Sequence, residues 1–265
     1  MAGKSQFPLL FARAARDKGY RVFALAHEGE TLPELGDLVE ELLWVKIGQL
    51  QKMIDFFKER GVVEAALAGG LTKENMFVNF QPDARALSVA ARLTELNDDT
   101  VLRAMAEEFE KDGVAIRPST LYTPELLVPE GVLTRRAPTA AEWADIELGW
   151  RVAKTLGTLD VGQLVVIRDR AVLALEAMDG SDETIRRGGR LGREKTVVVK
   201  VCKPNQDFRF DLPSVGLGTI EVMKEVRAAV LAVEAGRTLI FDREEMIGAA
   251  DRAGMAVVAR GGGLE

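Results

Sequence analysis

Gln49-Leu50-Gln51-Lys52-Met53-Ile54-Asp55-Phe56-Phe57-Lys58-Glu59-Arg60 reads as a helix stopped by Gly61, and Val63-Glu64-Ala65-Ala66-Leu67-Ala68 reads as a buried strand ending in the pair Gly69-Gly70. Helix, strand and glycine turn in that order are the rhythm of a parallel sheet, whose ligand crevice lies at the carboxyl ends of its strands. Working outward, Phe7, Leu10, Phe11, Ala14 and Ala15 fall at helical spacing over residues 7–18, with Gly19 as the stop. Residues 21–26 read as a buried strand. Helices near 84–95 and 98–111 and a short strand at 114–118 continue the alternation. The first helix has no strand before it, although the alternation asks for one. The expectation is that the sequence starts downstream of the protein's natural start.

Four of the nine prolines (Pro118, Pro124, Pro129 and Pro138) fall together, and they mark an irregular crossover. The expected organisation is a nucleotide- or ligand-binding domain over 1–122, a Pro-rich linker over 123–138 and a catalytic domain over 139–265. The fold class is α/β. The first domain is read as a Rossmann-like parallel sheet with flanking helices, the second as mixed α/β. In the second, a helix is expected at 140–156, then strands at 164–167 and 171–175 joined by a tight hairpin. Ser181 and Thr184 begin a short helix, a strand covers 196–202, and residues 208–211 read as an apolar-flanked strand. A helix over about 219–235, a strand at 238–241, a helix at 243–253 and a strand at 256–259 complete the reading.

Composition narrows the function. In 265 residues, Lys plus Arg number 35 against 41 for Asp plus Glu, a net charge of −6, which argues against nucleic-acid binding by bulk charge. A single cysteine, Cys202, rules out an intramolecular disulfide and makes a reducing compartment the default. His27 is the only histidine, so the usual His/Cys zinc site is not expected. No apolar run approaches the length of a membrane span.

Several residues invite chemistry. Gly3-Lys4-Ser5 resembles the tail of a phosphate-binding P-loop but lacks the earlier glycine, so the milder reading is a small-residue turn whose N–H groups hold a phosphate or ribose. Gly69 and Gly70, before Thr72-Lys73-Glu74, form either a plain turn or the second wall of the same crevice. Asn97-Asp98-Asp99 reads better as a helix cap than as a magnesium site. His27 reads as a polar strand-end residue before it reads as a ligand contact. The richest stretch is 176–211, where Glu176 and Asp182 stand among Thr184, Arg186, Arg187, Arg193, Lys195, Lys200, Lys203 and Arg209. Carboxylates beside several cations suit a diphosphate with an acidic metal ligand or base, against the plainer reading of a solvated charged surface. Asp211, at the end of the expected strand and before a glycine-bearing turn, stands where α/β enzymes place catalytic groups.

Leu159-Asp160-Val161-Gly162-Gln163, Leu175-Glu176-Ala177-Met178-Asp179-Gly180-Ser181-Asp182, Lys203-Pro204-Asn205-Gln206 and Arg209-Phe210-Asp211-Leu212-Pro213-Ser214-Val215-Gly216 together resemble the UDP-2,3-diacylglucosamine pyrophosphatases of the LpxI type. Gln6-Phe7-Pro8, Trp44 to Gln49, Pro82-Asp83, Asn97-Asp98-Asp99 and Leu102-Arg103 extend the resemblance across the first half. Family members carry a short apolar strand and then Ala-Gly-Asn-Gly before Phe-Pro, where this chain has Ala2-Gly3-Lys4-Ser5. The resemblance implies magnesium-dependent hydrolysis of UDP-2,3-diacylglucosamine to UMP and 2,3-diacylglucosamine 1-phosphate (lipid X), with water attacking the phosphorus on the sugar side. It implies a catalytic Asp211. Asp211, Glu176 and Asp182 are the expected magnesium ligands. Gly3, Lys4, Gly69, Gly70, Thr184, Arg186, Arg187 and Lys203 are the expected substrate contacts. It further implies a homodimer; a substrate with two acyl chains asks for transient contact with the inner-membrane surface, while the cysteine usage and net charge point to a cytoplasmic protein with no nucleic-acid partner. The alternative is a non-catalytic UDP-sugar or nucleotide-binding regulatory protein. A dinucleotide-dependent oxidoreductase would need a full Gly-x-Gly-x-x-Gly after a first strand, which is missing.

Overall fold

The helix expected at the start forms as α1 (Phe7–Asp17), with Pro8 in its first turn and Gly19 beyond its end at φ 84°. The computed structural model describes residues 1–71, 80–94, 98–210 and 212–261, with the side chain of Asp98 left aside. The chain divides into two compact units, Met1–Pro124 together with a short insert beginning at Asp207, and Glu125–Gln206 together with the chain from Leu212 onward.

In the first unit, Leu50, Met53, Ile54, Phe56 and Phe57 bury one face of α2 (Leu50–Glu59). Strand β1 (Phe23–His27) pairs in parallel with β2 (Glu41–Val45), and β3 (Glu64–Ala66) with β4 (Ala115–Arg117). The two pairs are joined by the very start of the chain. Ala2 bridges in parallel to Ala26 on one side and to Ala68 on the other. Its N–H donates to the Leu25 carbonyl at 2.8 Å, and the Ala68 N–H donates to the Met1 carbonyl at 3.0 Å. The lateral order is therefore β2, β1, Ala2, β3, β4, parallel throughout, and residues 1–3 stand where the alternation asks for a strand before α1. Helices α3 (Ala84–Ala90) and α4 (Asp98–Lys111) complete the described layer, and Leu25, Ile54, Phe57 and Phe109 form its fully buried centre. This is the Rossmann-like arrangement expected.

In the second unit a six-stranded mixed sheet runs in the order β5 (Gly131–Val132), β12 (Ala256–Arg260), β10 (Val230–Glu234), β8 (Val197–Lys200), β6 (Leu164–Arg168), β7 (Ala171–Leu175). Strands β12, β10 and β8 are parallel, β5 and β6 run against them, and the edge strand β7 runs against β6. Alternate residues serve opposite cores. Val197 and Val199 pack with Ile146, Trp150 and Ala153 of α5 (Ala140–Thr158), while Val198 packs with Ile185 of α6 (Gly180–Gly192), Ile220 and Met223 of α7 (Leu217–Glu225) and Met246 of α8 (Arg243–Arg252). A small parallel pair, β9 (Ser214–Val215) with β11 (Leu239–Ile240), lies outside this sheet. The hairpin between β6 and β7 turns on Asp169 and Arg170, both left-handed at φ 50° and 60°. The buried Asp145 holds it by accepting from the Asp169 N–H at 3.0 Å and the Arg170 N–H at 2.6 Å.

Three expectations need correction. Residues 123–138 are not simply a linker, because β5 lies within them and pairs antiparallel with β12. The single helix over 219–235 is α7 followed by β10, since an apolar run buried on both faces of a parallel sheet serves as strand. Residues 208–210 are turns rather than strand. They belong to the first unit, where Phe210 joins the core, Arg209 donates to Glu110 at 3.0 Å and Arg103 pairs with Asp207 at 3.1 Å.

Candidate functional site

The carboxyl ends of the first unit's parallel strands bring Gly3, Gly69 and Gly70 together. The Gly3 N–H donates to the Ala68 carbonyl at 2.8 Å and the Lys4 N–H to the Gly70 carbonyl at 2.7 Å. A Cβ on Gly3 would land on the carbonyls of Gly69 and Gly70, and one on Gly69, at φ 81°, would strike the Lys4 carbonyl. Close approach of backbone to backbone explains these glycines. It also uses up the Gly3 and Lys4 N–H groups, so this part of the turn is not the open phosphate cradle expected. The Lys4 side chain is exposed. Thr72 and Lys73 lie outside the described residues, as does Asn97.

His27 ends β1 beside this meeting of backbones. Its N–H donates to the Thr31 hydroxyl at 2.9 Å, and that hydroxyl donates to the Ala2 carbonyl at 2.6 Å. The turn after β1 is thereby clamped to the segment ahead of α1. The ring is only 8% exposed, and its Nδ1 is buried without a hydrogen-bond partner. Burial, then the Met1 ammonium, lower its pKa below the ordinary histidine value, against the Val45 carbonyl and Glu30.

In the second unit the expected residues form separate small networks. Glu176 is buried at the end of β7, where one carboxylate oxygen accepts from the Ser181 hydroxyl at 2.6 Å and the other from the Gln163 N–H at 3.0 Å. Thr184 is buried and donates to the Gly180 carbonyl one turn back at 2.8 Å. Arg187 donates to Asp179 at 2.8 Å and to the Leu175 carbonyl at 2.9 Å, and the first of these bonds holds the Asp179 carboxyl below the usual range. Arg186 pairs with Glu225 at 2.9 Å on an exposed surface, and Asp182 is exposed in the first turn of α6. Lys203 donates to Asp160 at 2.5 Å. Asp211 lies outside the described residues.

A network that the sequence does not advertise sits at the carboxyl ends of β8 and β10. Glu234 is fully buried, and one of its oxygens accepts from Lys154 at 2.6 Å and from the Cys202 N–H at 2.9 Å. The other makes no hydrogen bond and has the Arg237 guanidinium 3.7 Å away. Lys154 also donates to the Cys202 carbonyl at 2.9 Å, and Lys200 to the Ser214 carbonyl at 3.0 Å. The signal was an acid at the end of the apolar run 228–233, and it is visible only when that run is read as a strand. Charged groups thus gather at the strand carboxyl ends, the end at which open α/β sheets bind ligands.

Two α/β units, each with charged or close-packed polar groups at the carboxyl ends of parallel strands, define a two-domain α/β protein of the ligand-binding or enzymatic class. Residues 1–126 match the family model of the LpxI N-terminal domain and residues 129–258 that of the LpxI C-terminal domain. The UDP-2,3-diacylglucosamine pyrophosphatase LpxI of Caulobacter vibrioides is 36% identical over 225 residues, spanning 81% of this chain and 80% of that protein. The chain belongs to the LpxI family. The bifunctional purine biosynthesis protein PurH of Anaeromyxobacter sp. (strain K) is 30% identical over 136 residues, 49% of this chain but 22% of that protein.

Among the described residues no three His, Cys, Asp or Glu side chains converge on one metal position. Both Glu176 oxygens are already hydrogen-bonded, so Glu176 fits a magnesium ligand poorly unless Ser181 and Gln163 release it. Magnesium commonly takes only one or two carboxylates and completes its shell with water and substrate phosphate.

Proposed function

We propose that this protein hydrolyses the diphosphate of UDP-2,3-diacylglucosamine, releasing UMP and 2,3-diacylglucosamine 1-phosphate. The observation that carries the reading is the match of both family domains, together with 36% identity over most of the chain to a relative named for that pyrophosphatase. In the balanced step, water adds to the phosphorus on the sugar side and the anhydride P–O bond breaks. The electron pair leaves with UMP, and the water's protons pass to a base and to solvent. Asp211 is assigned as that base. Lys203, at the carboxyl edge of the parallel strands, is assigned to diphosphate charge, with Arg186 and Arg187 as further cations that would exchange their present carboxylate partners. Bound magnesium would supply further charge neutralisation on the diphosphate. A homodimer in the cytoplasm that touches the inner-membrane surface to collect its two-chain substrate completes the reading. It is compatible with the described helices, none of which is long and apolar enough to cross a membrane.

Release of UMP from UDP-2,3-diacylglucosamine, with and without magnesium, tests it. The expected outcome is magnesium-dependent release that falls by about 10²–10⁴-fold in Asp211→Ala, the span of a lost general base. A folded wild-type chain that binds the UDP-sugar without turning it over would replace the reading with that of a binding protein.

A further inference from the structure

We propose that His27 is the ribose-recognition residue of a nucleoside subsite in the first unit, where its free ring nitrogen pairs with a hydroxyl of the uridine ribose. The inference rests on the function proposed above and deepens it, because it assigns the nucleoside end of the substrate to one unit and one side chain.

The lateral order β2, β1, Ala2, β3, β4 reverses direction between the Ala2 segment and β3, and in open parallel sheets nucleotides bind at the strand carboxyl ends beside such a reversal. The Gly3 turn and the Gly69-Gly70 turn lie at that point. In dinucleotide sites of this topology, the residue ending the strand next to the first one, about 20 residues on, hydrogen-bonds a ribose hydroxyl, and it is usually an acid. Here β1 is that strand and His27 is its last residue.

Buried polar atoms in folded proteins nearly always have partners, and those that lack one call for an explanation. The His27 Nδ1 is buried and lacks one, in a residue whose backbone is fixed through Thr31 to the Ala2 carbonyl. Burial lowers its pKa, which favours the neutral ring. A neutral imidazole offers one donor and one acceptor, and a hydroxyl is the group that can answer either nitrogen state. A phosphate could only accept.

The third observation decides which end of the nucleotide sits here. The N–H groups of Gly3 and Lys4 are both spent on backbone carbonyls. Pro8, in the first turn of α1, has no N–H, and the Phe7 N–H reaches the Ser5 hydroxyl at 3.3 Å. Gly3, Lys4, Phe7 and Pro8 therefore offer no free N–H to a diphosphate, while the neighbouring strand end carries the unpartnered His27 ring nitrogen. The subsite takes the nucleoside, not the phosphates.

The test is binding of UMP, 2′-deoxy-UMP and 3′-deoxy-UMP to the full chain by calorimetry, in wild type, His27→Ala and His27→Gln. The wild type should bind UMP roughly tenfold more tightly than one of the deoxy analogues, the effect of one hydrogen bond made to an otherwise unpaired buried group. That preference should vanish in His27→Ala and return at least in part in His27→Gln, which keeps a donor and an acceptor. A wild type that binds all three ligands alike overturns the proposal whatever the variants do. So does a folded His27→Ala that keeps the wild-type preference. If either result comes from a chain that still releases UMP from UDP-2,3-diacylglucosamine, the subsite fails while the proposed hydrolysis stands. A chain that neither binds UMP nor hydrolyses the substrate sinks both.

Discussion

Ser5 holds φ at 86°, in the left-handed region that a side chain with a Cβ adopts at a cost. It occupies the place where the resembled family carries the second glycine of Ala-Gly-Asn-Gly. Its compensation is one long hydrogen bond, the Phe7 N–H to its hydroxyl at 3.3 Å. Ser5→Gly should therefore raise stability by about 0.5–1 kcal/mol, the relieved strain exceeding the lost bond and the added chain entropy. Urea denaturation of the two proteins checks it, and an unchanged or lower midpoint would show that the hydroxyl is worth more than the strain. At this scale the sequence is only partly legible. Glu176 and Thr184 look chemical by residue type and neighbourhood, yet both are buried and bonded to nearby protein groups. His27 looks ordinary and proves to carry an unpartnered ring nitrogen. Type and spacing announce a residue's capability. Whether the capability is spent depends on partners far apart in the chain, such as Lys154 and Glu234, and no local pattern shows those.

At the scale of elements, segments with one buried face declare themselves, and segments buried on all sides do not. The α2 segment is amphipathic and reads correctly. The 219–235 run is apolar and alanine-rich, so propensity favours one long helix, while burial of Val230 to Val233 between two helical layers makes the second half a strand. The proline-rich stretch misleads in the other direction. Arg136 lies in it, yet its guanidinium donates to the Ala229 carbonyl at 2.7 Å, the Gly254 carbonyl at 2.9 Å and the Glu142 carboxylate at 2.8 Å. It thereby fastens the stretch between β5 and α5 to the chain entering β10 and the chain leaving α8. The Thr139–Glu142 capping box then starts α5 directly beside it. If this stretch were a passive linker, Arg136→Ala would be silent. The structure instead predicts a loss of about 2 kcal/mol, because charge-assisted bonds to two carbonyls and a carboxylate disappear together. Chemical denaturation followed by the fluorescence of Trp143 and Trp150, both in the second unit, would detect it. A shift under about 0.5 kcal/mol, the usual range for a surface change, would restore the linker reading.

At the scale of the whole molecule, the two units are held by different kinds of interaction, and pH should separate them. In the first, Glu108 is the hub of an ion cluster that joins α3 to α4. Its carboxylate meets Arg85 and Arg92 at 2.8 Å each and Lys111 at 2.7 Å. The bond from Lys111, then those from Arg92 and Arg85, bring its pKa down to about 2 from an ordinary value of 4.5. A carboxyl whose folded pKa lies below its unfolded one stabilises the fold above the unfolded value, and that stability drains away as pH falls toward the folded value. Between about pH 4.5 and 2 the unfolded chain takes up the proton first, so the first unit loses stability there. Asp112, held below its usual range chiefly by Lys58 and Arg85, adds to the loss in the same direction. The second unit's main sheet rests instead on two apolar cores that meet at Val197, Val198 and Val199 of β8, and the carboxyls this unit holds below their usual range, Glu142, Asp179 and Glu225, lie outside that sheet. Hydrogen exchange read by peptide across a pH series should therefore show α2, α3 and α4 losing protection before β8, β10 and β12 as pH falls through this window. Glu108→Gln should flatten the pH dependence of the first unit while lowering its stability at neutral pH, since the amide keeps the shape but not the charge. Simultaneous loss of protection in both units would instead mean that they unfold as one cooperative body, with the ion cluster's linkage shared across the whole chain.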